Sequence, residues 1–193
     1  MAGADELAAE GAAFAAAHGL DGGFWVFAYG SLMWDPEIEH DRRLLAGLHG
    51  YHRRFCLYSH LYRGTPEAPG LLLGLDRGGF CRGMGIRVPA AAARAAWGVL
   101  WMREMVLRTY RPTFVRARTE EGIVPMVAFV AERASPQYCG ALDEARMAAI
   151  IGSARGTRGD NRAYFENTRA RLAELGIADR GMERLARLLA TRD

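Results

Sequence analysis

The tetrapeptide Tyr29-Gly30-Ser31-Leu32 has the composition of a turn that binds an anion or a carbonyl oxygen through the main chain. It follows the apolar segment 24–28, which is typical of a buried strand, and a glycine at that point frees the backbone to turn. The N–H groups that follow can point outward and form a receptor in which no side chain needs a charge. The alternative is an ordinary turn at the end of a strand.

A single carboxylate, Glu104, stands at the end of the next long helix, which the sequence predicts over residues 89–104. The C-terminal end of a helix carries the negative end of its dipole, so a partly buried carboxylate there has a raised pKa. A raised pKa makes Glu104 a better proton acceptor near neutral pH. A main-chain receptor with one acid suffices for acyl transfer, so we expect no metal and no cofactor. The alternative is an exposed glutamate paired with Arg103 or Arg108.

Two further positions are candidates for substrate contact. Arg53 and Arg54 are adjacent in a strand-like segment, so their side chains point to opposite faces, and the sequence does not decide which one faces inward. The inward arginine is either a bidentate clamp for a substrate carboxylate or a brace of the sheet paired with an aspartate. Tyr164, near the start of a helix that Asp160 would cap, is either a pocket residue or a half-buried packing aromatic.

Bulk composition indicates one domain spanning residues 1–193. Of the 193 residues, 50% are hydrophobic, which suits one full-sized core. No run of about 18 apolar residues predicts a transmembrane helix. The alanine-rich N-terminus carries acidic residues, which is the wrong charge for a secretory signal. The 3 cysteines are far apart and lack zinc-ligand spacing. These features favour a cytoplasmic protein without a disulfide framework or a metal site.

The charge balance does not indicate a nucleic-acid partner. The net charge is +3, yet all Lys-or-Arg positions are arginine, and the arginines are interleaved with Asp and Glu along the chain. No recognised nucleic-acid-binding module is present. We therefore expect a small-molecule substrate, with neither a nucleic acid nor a membrane as partner.

The order of the predicted elements indicates an α+β fold. Strand-like segments dominate the middle of the chain, with apparent hairpins across residues 76–79 and 119–122. Helices are predicted over residues 1–20, 89–104, 142–153, 161–175 and 181–189. Hairpin connections favour a mainly antiparallel, curled or barrel-like sheet flanked by helices. The polar segment 59–68 is predicted to be a mobile loop that could cover a site.

Several motifs, taken in chain order, resemble those of the ChaC family of γ-glutamylcyclotransferases. The residues that carry the resemblance are Val26-Phe27-Ala28-Tyr29-Gly30-Ser31-Leu32-Met33-Trp34, Arg53-Arg54-Phe55, Arg63-Gly64-Thr65, Pro69-Gly70-Leu71 and Arg103-Glu104-Met105. The similarity spans nearly the whole chain, and the ordered set is far more specific than any one motif. Family members typically have glycine where this chain has Ala28.

The resemblance implies a γ-glutamylcyclotransferase-like fold and cleavage of glutathione to 5-oxoproline and cysteinylglycine. It implies that Glu104 is the catalytic base and that the turn at residues 29–32 binds the γ-glutamyl group. Together with the candidates above, the expected substrate-binding residues are Phe27, Ala28, Tyr29, Gly30, Ser31, Leu32, Arg53 and Tyr164. One alternative is a cyclotransferase for other γ-glutamyl amino acids or amines. Another is a non-catalytic γ-glutamyl-binding protein, against which the retained acid argues, because binding alone needs no base.

Overall fold

The computed structural model describes residues 3–191, so residues 1–2 and 192–193 of the predicted 1–193 domain lie outside the described residues. The helices are α1 (Ala4–Ala17), α2 (Ala90–Met105), α3 (Glu144–Ser153), α4 (Asn161–Glu174) and α5 (Arg180–Ala190). The strands are β1 (Phe24–Ala28), β2 (Arg42–Ser59), β3 (Gly70–Val88), β4 (Tyr110–Thr119), β5 (Gly122–Ala131), β6 (Arg155–Gly156) and β7 (Gly159–Asp160). No described helix has the length and apolar character needed to cross a membrane.

Five strands close into a barrel in the order β1-β3-β2-β4-β5. β2 and β3 pair antiparallel over almost their whole length, and β4 and β5 form the predicted hairpin across residues 119–122. Single parallel contacts complete the closure, joining Val26 to Val127 and Leu75 to Val130. The predicted α+β fold with a mainly antiparallel, barrel-like sheet is therefore confirmed.

The predicted hairpin across residues 76–79 is wrong. β3 runs without a break through this point and stays paired with β2 on both sides of it. Gly78 and Gly79 have φ angles of 99° and 73°, and Gly50 on β2 has 82°, values that glycine adopts at little cost. The strand register shifts there, as it does at a β-bulge. The glycines interrupt the hydrogen-bond ladder between β2 and β3, but they do not reverse the direction of the chain.

Helix α2 is fixed on the barrel by close contact with α1. A Cβ atom on Gly11 would lie 2.6 Å from the Trp101 side chain, so only glycine allows this approach without a shift of the indole. The Trp97 indole N–H donates to the Gly11 carbonyl oxygen at 2.8 Å. These contacts set the position of the last turn of α2, which carries Glu104.

Candidate active site

A cavity of about 320 Å³ lies where β1, α2, β4 and α4 begin or end, and we call it the Glu104 cavity. Its wall includes Ser31, Arg63, Arg103, Glu104, Tyr110, Arg158 and Tyr164. A narrower recess continues from it, and Tyr29, Gly30 and Leu32 line that recess together with Glu104. The fold thus brings the turn after β1, the predicted acid and the predicted tyrosine to one place.

The turn after β1 presents its main chain to this recess. The Met33 N–H donates to the Gly30 carbonyl at 2.9 Å, which closes a short 3-10 turn over Ser31–Met33. The N–H groups of Ser31 and Leu32 precede this bond and have no acceptor within the turn. A Cβ on Gly30 would lie 3.5 Å from the Tyr164 hydroxyl oxygen, so the turn and that hydroxyl are neighbours. The main chain here is suited to bind a substrate oxygen.

Glu104 lies in the last turn of α2, and 13% of its side chain is exposed. Burial raises the pKa of Glu104 above its usual range, and the Arg103 guanidinium lowers it by a smaller amount. The Arg103 Nε atom is 3.3 Å from Glu104 Oε1. Arg108 pairs with Glu10 instead. The alternative stated for Glu104 is thus right about the pairing with Arg103 and wrong about exposure, because the acid is largely buried and lines a cavity.

Arg103 joins the acid to the turn and to the segment that follows it. Its guanidinium, 10% exposed, donates to Ser31 Oγ, to the Asp35 carbonyl and to Glu37 Oε2, each at 2.8 Å. One side chain thus neutralises Glu37, holds the turn and faces Glu104. The balance between burial and this cation sets how readily Glu104 takes up a proton.

Replacing Arg103 by Gln is expected to raise the pKa of Glu104. In the wild type, burial raises the pKa of Glu104 and the Arg103 guanidinium lowers it. Without the guanidinium, the increase caused by burial is offset less. The measurement is a titration of the Glu104 carboxyl carbon by ¹³C NMR. Arg103→Lys retains the positive charge and should leave the pKa closer to the wild-type value. A pKa in Arg103→Gln at or below that of the wild type would contradict this assignment.

Two tyrosines flank Glu104, and the main chain of Leu73 holds both. The Tyr110 hydroxyl donates to the Leu73 carbonyl at 2.8 Å, and the Leu73 N–H donates to the Tyr164 hydroxyl oxygen at 3.4 Å. β3 pairs with β5 only through Leu75 and Val130. The N–H and carbonyl of Leu73 lie outside that pairing, and the two tyrosine hydroxyls supply their hydrogen-bond partners. Burial raises the pKa of Tyr164 to about 12, so its hydroxyl is neutral near pH 7.

Helix α4 begins at Asn161, whose fully buried side-chain amide joins it to β3. The Leu71 N–H donates to Asn161 Oδ1 at 2.6 Å, and Asn161 Nδ2 donates to the Leu71 carbonyl at 2.8 Å. Asp160 occupies the predicted capping position, but its carboxylate bonds to Arg155 and not to a helix N–H. The amide exchange fixes the helix so that Tyr164, one turn later, lines the Glu104 cavity. Tyr164 is thus both a packing aromatic and a wall residue.

Residues 59–68, which the sequence predicts to be a mobile loop, are tied to the short β6–β7 hairpin. The Thr157 N–H donates to the Leu61 carbonyl at 2.8 Å, and the Arg158 N–H donates to the Tyr62 carbonyl at 2.9 Å. The Arg158 guanidinium lies 4.9 Å from the centre of the Tyr62 ring. Tyr62 and Arg63 of this segment line the Glu104 cavity, and main-chain hydrogen bonds hold the segment there.

Arg63 places a second guanidinium in the wall of the cavity. Its Nη1 atom donates to the Arg158 carbonyl at 2.6 Å, and the guanidinium lies 5.3 Å from the centre of the Tyr164 ring. A main-chain carbonyl and an aromatic ring therefore stabilise the positive charge of Arg63, and the partner of Nη1 is not a carboxylate. Together with Arg158 it makes this side of the cavity suitable for a substrate anion.

Gly64→Ala is expected to detach this covering segment. A Cβ on Gly64 would lie 2.0 Å from the Gly70 nitrogen and 2.6 Å from the Ser59 carbonyl oxygen, so the main chain would have to move. Overpacking of this kind lowers the free energy of unfolding by about 1–3 kcal/mol or more, measured by urea denaturation. The control is Gly98→Ala in α2, where a Cβ meets nothing within 4 Å. That variant should gain roughly 0.5–1 kcal/mol, and equal stability of the two would contradict the prediction.

The structure does not bring Phe27, Ala28 or Arg53 to the Glu104 cavity, and these three expectations are corrected. The side chains of Phe27 and Ala28 are 0% exposed and belong to the core. Arg53 lines a different cavity, of about 510 Å³, that lies against α5. It pairs there with Asp179 at 2.8 Å, which is the bracing alternative that the sequence left open. Arg54 lines that other cavity as well.

The residues of the cavity wall that sequence reasoning missed include Arg63, Arg103, Tyr110 and Arg158. Arg103 adjoins Glu104, Tyr110 opens the strand after α2, and Arg63 belongs to one of the family motifs, so each had a local signal. Arg158 had none, because its place depends on the contact between two distant segments. Among residues 3–191, no three His, Cys, Asp or Glu side chains come together closely enough to hold a metal ion.

Comparison with known proteins identifies the family. Residues 24–192 match the family described as ChaC-like protein. The chain is 34% identical over 183 residues to the glutathione-specific gamma-glutamylcyclotransferase of Escherichia coli K12, covering 94% of this chain and 79% of that protein. It is 35% identical over 165 residues to the protein of the same name from Schizosaccharomyces pombe, covering 75% of this chain and 80% of that protein.

Solved structures agree at the level of the fold. The crystal structure of a yeast gamma-glutamyl cyclotransferase specific to glutathione aligns with a TM-score of 0.82 at 20% identity, covering 88% of this chain and 96% of that chain. The barrel with its flanking helices is therefore a γ-glutamylcyclotransferase fold, as predicted. The chain itself belongs to the ChaC-like protein family.

Proposed function

We propose that this chain is a γ-glutamylcyclotransferase, a lyase of glutathione catabolism that converts glutathione to 5-oxoproline and cysteinylglycine. The observation that carries the proposal is the buried carboxylate of Glu104, which lines one cavity together with the Gly30–Leu32 turn. The relatives named as glutathione-specific support the choice of substrate. A cytoplasmic location is part of the proposal, and three unpaired thiols fit a reducing compartment.

The substrate contains both reactants of the cyclisation. Its α-amine attacks its own γ-carbonyl carbon, the new C–N bond closes a five-membered lactam, and the bond to the cysteine nitrogen breaks. Holding the γ-glutamyl chain folded, so that nitrogen meets carbon, supplies a rate gain through proximity and requires no covalent intermediate on the enzyme.

Glu104 is proposed to carry the protons of this reaction. The α-ammonium has an ordinary pKa of about 8 or somewhat higher, so a base must deprotonate it before attack. Between ammonium and lactam the attacking nitrogen loses two protons, and the leaving amide nitrogen gains two as it becomes an ammonium. Glu104 accepts each proton and passes it on, and its raised pKa suits both halves of that exchange.

Polar groups around the acid match the rest of the substrate. The N–H groups of Ser31 and Leu32 are proposed to hold either the developing oxyanion or the α-carboxylate. Arg63 and Arg158, on the covering segment and the β6–β7 turn, are proposed to bind the carboxylate at the glycine end of glutathione. In this arrangement the two ends of the substrate contact different groups of the Glu104 cavity.

A direct test measures 5-oxoproline release from glutathione by the purified protein, with γ-glutamylalanine run in parallel. Release from glutathione but not from γ-glutamylalanine is the expected result. Release only from γ-glutamylalanine would support the same cyclisation mechanism and show that glutathione is not the substrate. Heat-shift stabilisation by glutathione without product would favour the rival, a non-catalytic γ-glutamyl-binding protein.

A further inference from the structure

Arg53 is a buried arginine in β2 that bonds to the main chain of Tyr29, the residue before the Gly30–Leu32 turn. Its side chain is 3% exposed, and it lines the second cavity rather than the Glu104 cavity. A buried guanidinium is costly unless its donors are satisfied, so its partners show what it stabilises. Those partners come from three distant parts of the chain.

The Nε atom of Arg53 donates to the carbonyl oxygen of Tyr29, the residue that joins β1 to the turn. The antiparallel pairing of β1 with β3 ends at Ala28, so the Tyr29 carbonyl lies just beyond the ladder. A charge-assisted hydrogen bond takes the place of a strand partner there. The direction of this peptide group decides where the next N–H groups, those of the turn, can point.

The other two contacts fix the guanidinium plane. Nη1 bonds to Asp179 Oδ2 at 2.8 Å, and Nη2 donates to the Arg82 carbonyl at 2.7 Å. Asp179 is itself rigid, because its Oδ1 accepts from the Gly181 and Met182 N–H groups at 3.1 Å and so caps α5. The first turn of the C-terminal helix is thus linked through Asp179 and Arg53 to the main chain of the turn.

We propose that Arg53 and Asp179 are positioning residues for the cyclisation, which act by orienting the turn at residues 30–32 and not by touching substrate. The inference rests on the proposed function of the Glu104 cavity. A displacement of about 1 Å at a reacting centre can cost roughly 10²-fold in rate. With the Ser31 and Leu32 N–H groups taken as the site of the developing oxyanion, the loss should fall mainly on kcat, since Arg63 and Arg158, which are proposed to bind the carboxylate at the glycine end, remain in place.

The test compares kcat and KM for 5-oxoproline release in four variants, at a temperature at which urea denaturation shows each to be folded. Arg53→Lys cannot reach three acceptors with one nitrogen, and Asp179→Ala removes the anchor. Each should lower kcat by about 10- to 100-fold, with KM changed less than 3-fold. Asp179→Asn keeps the helix cap through its one oxygen but turns an NH₂ group toward Arg53, so it should lower kcat as Asp179→Ala does while retaining the cap. In the double variant Arg53→Lys/Asp179→Ala the two losses should not multiply, because both act through one carbonyl.

A second ion pair with a buried carboxylate and an exposed arginine provides the control. Asp76 is 2% exposed and lies 2.7 Å from Arg133, with a further bond from Tyr138, away from the turn. Asp76→Asn should lower stability without lowering kcat. Folded Arg53→Lys with wild-type kcat, or with a raised KM alone, would overturn the proposal, the second result by showing a substrate contact. A wild-type protein without cyclotransferase activity would instead remove the proposed function, and this inference with it.

Discussion

Glu104→Gln is expected to lower the rate of 5-oxoproline release from glutathione by about 10²- to 10⁴-fold, the usual contribution of a general acid–base residue. Gln has the shape of Glu and leaves the contacts of α2 in place, yet it cannot accept a proton. KM should change little, because the proposed carboxylate-binding groups are elsewhere. The control is Glu166→Gln, which removes an exposed carboxylate paired with Arg169 on α4. Full turnover by Glu104→Gln would show that another group is the base.

The same variant is expected to unfold at a higher urea concentration than the wild type at neutral pH. The pKa of Glu104 is higher in the folded than in the unfolded protein, because burial disfavours the ionised form. The Glu104 carboxyl therefore contributes fully to the free energy of unfolding below the ordinary glutamate pKa of about 4.3. That contribution is lost as the pH rises through the pKa of Glu104 in the folded protein. Gln does not titrate, so its advantage should grow over that range and disappear in acid. An advantage independent of pH would contradict the burial of a charged Glu104.

Asn161→Ala is expected to have the largest effect on stability. Asn161 is 0% exposed, and both ends of its amide bond to the main chain of Leu71. Alanine would leave a buried N–H and a buried carbonyl without partners, at about 1–3 kcal/mol each. We expect the free energy of unfolding to fall by about 2–5 kcal/mol, measured by urea denaturation. Activity should fall as well, because Tyr164 depends on the placement of α4.

The same helix offers a control for that experiment. Asn167 lies on the exposed face of α4, where alanine has the better helix propensity. Asn167→Ala should therefore leave the protein as stable as the wild type or slightly more so. A small effect at both asparagines would contradict the role given to the buried amide.

The elements that depend on local pattern could be predicted from the sequence. β1 is an uninterrupted apolar run between Gly23 and Gly30, and the hairpin across residues 119–122 has alternating strands around a glycine-containing turn. The pair Gly78-Gly79 could not be resolved in this way, because adjacent glycines suit a hairpin turn and a bulge equally. Which one forms is decided by the partner strand, and β2 is long enough to pair with both halves of β3.

The site shows the same division between local and distant causes. The turn at residues 29–32 and Glu104 are each readable from a few neighbouring residues. For Arg53 the sequence leaves the substrate clamp and the brace open, because alternation along a strand gives the face of a side chain but not its partner, and Asp179 stands far along the chain. Arg158 reaches the cavity through hydrogen bonds between two segments that no local pattern connects.

In the proposed reaction the substrate's own amine, and not water, attacks the γ-carbonyl beside Glu104. The most direct measurement is reaction of glutathione in H₂¹⁸O, with mass analysis of every product. Cyclisation by the amine should give equal amounts of 5-oxoproline and cysteinylglycine, with no ¹⁸O in either and no labelled glutamate. Glutamate carrying ¹⁸O in its γ-carboxylate would show that water is the nucleophile, and would contradict cyclisation as the reaction of this site.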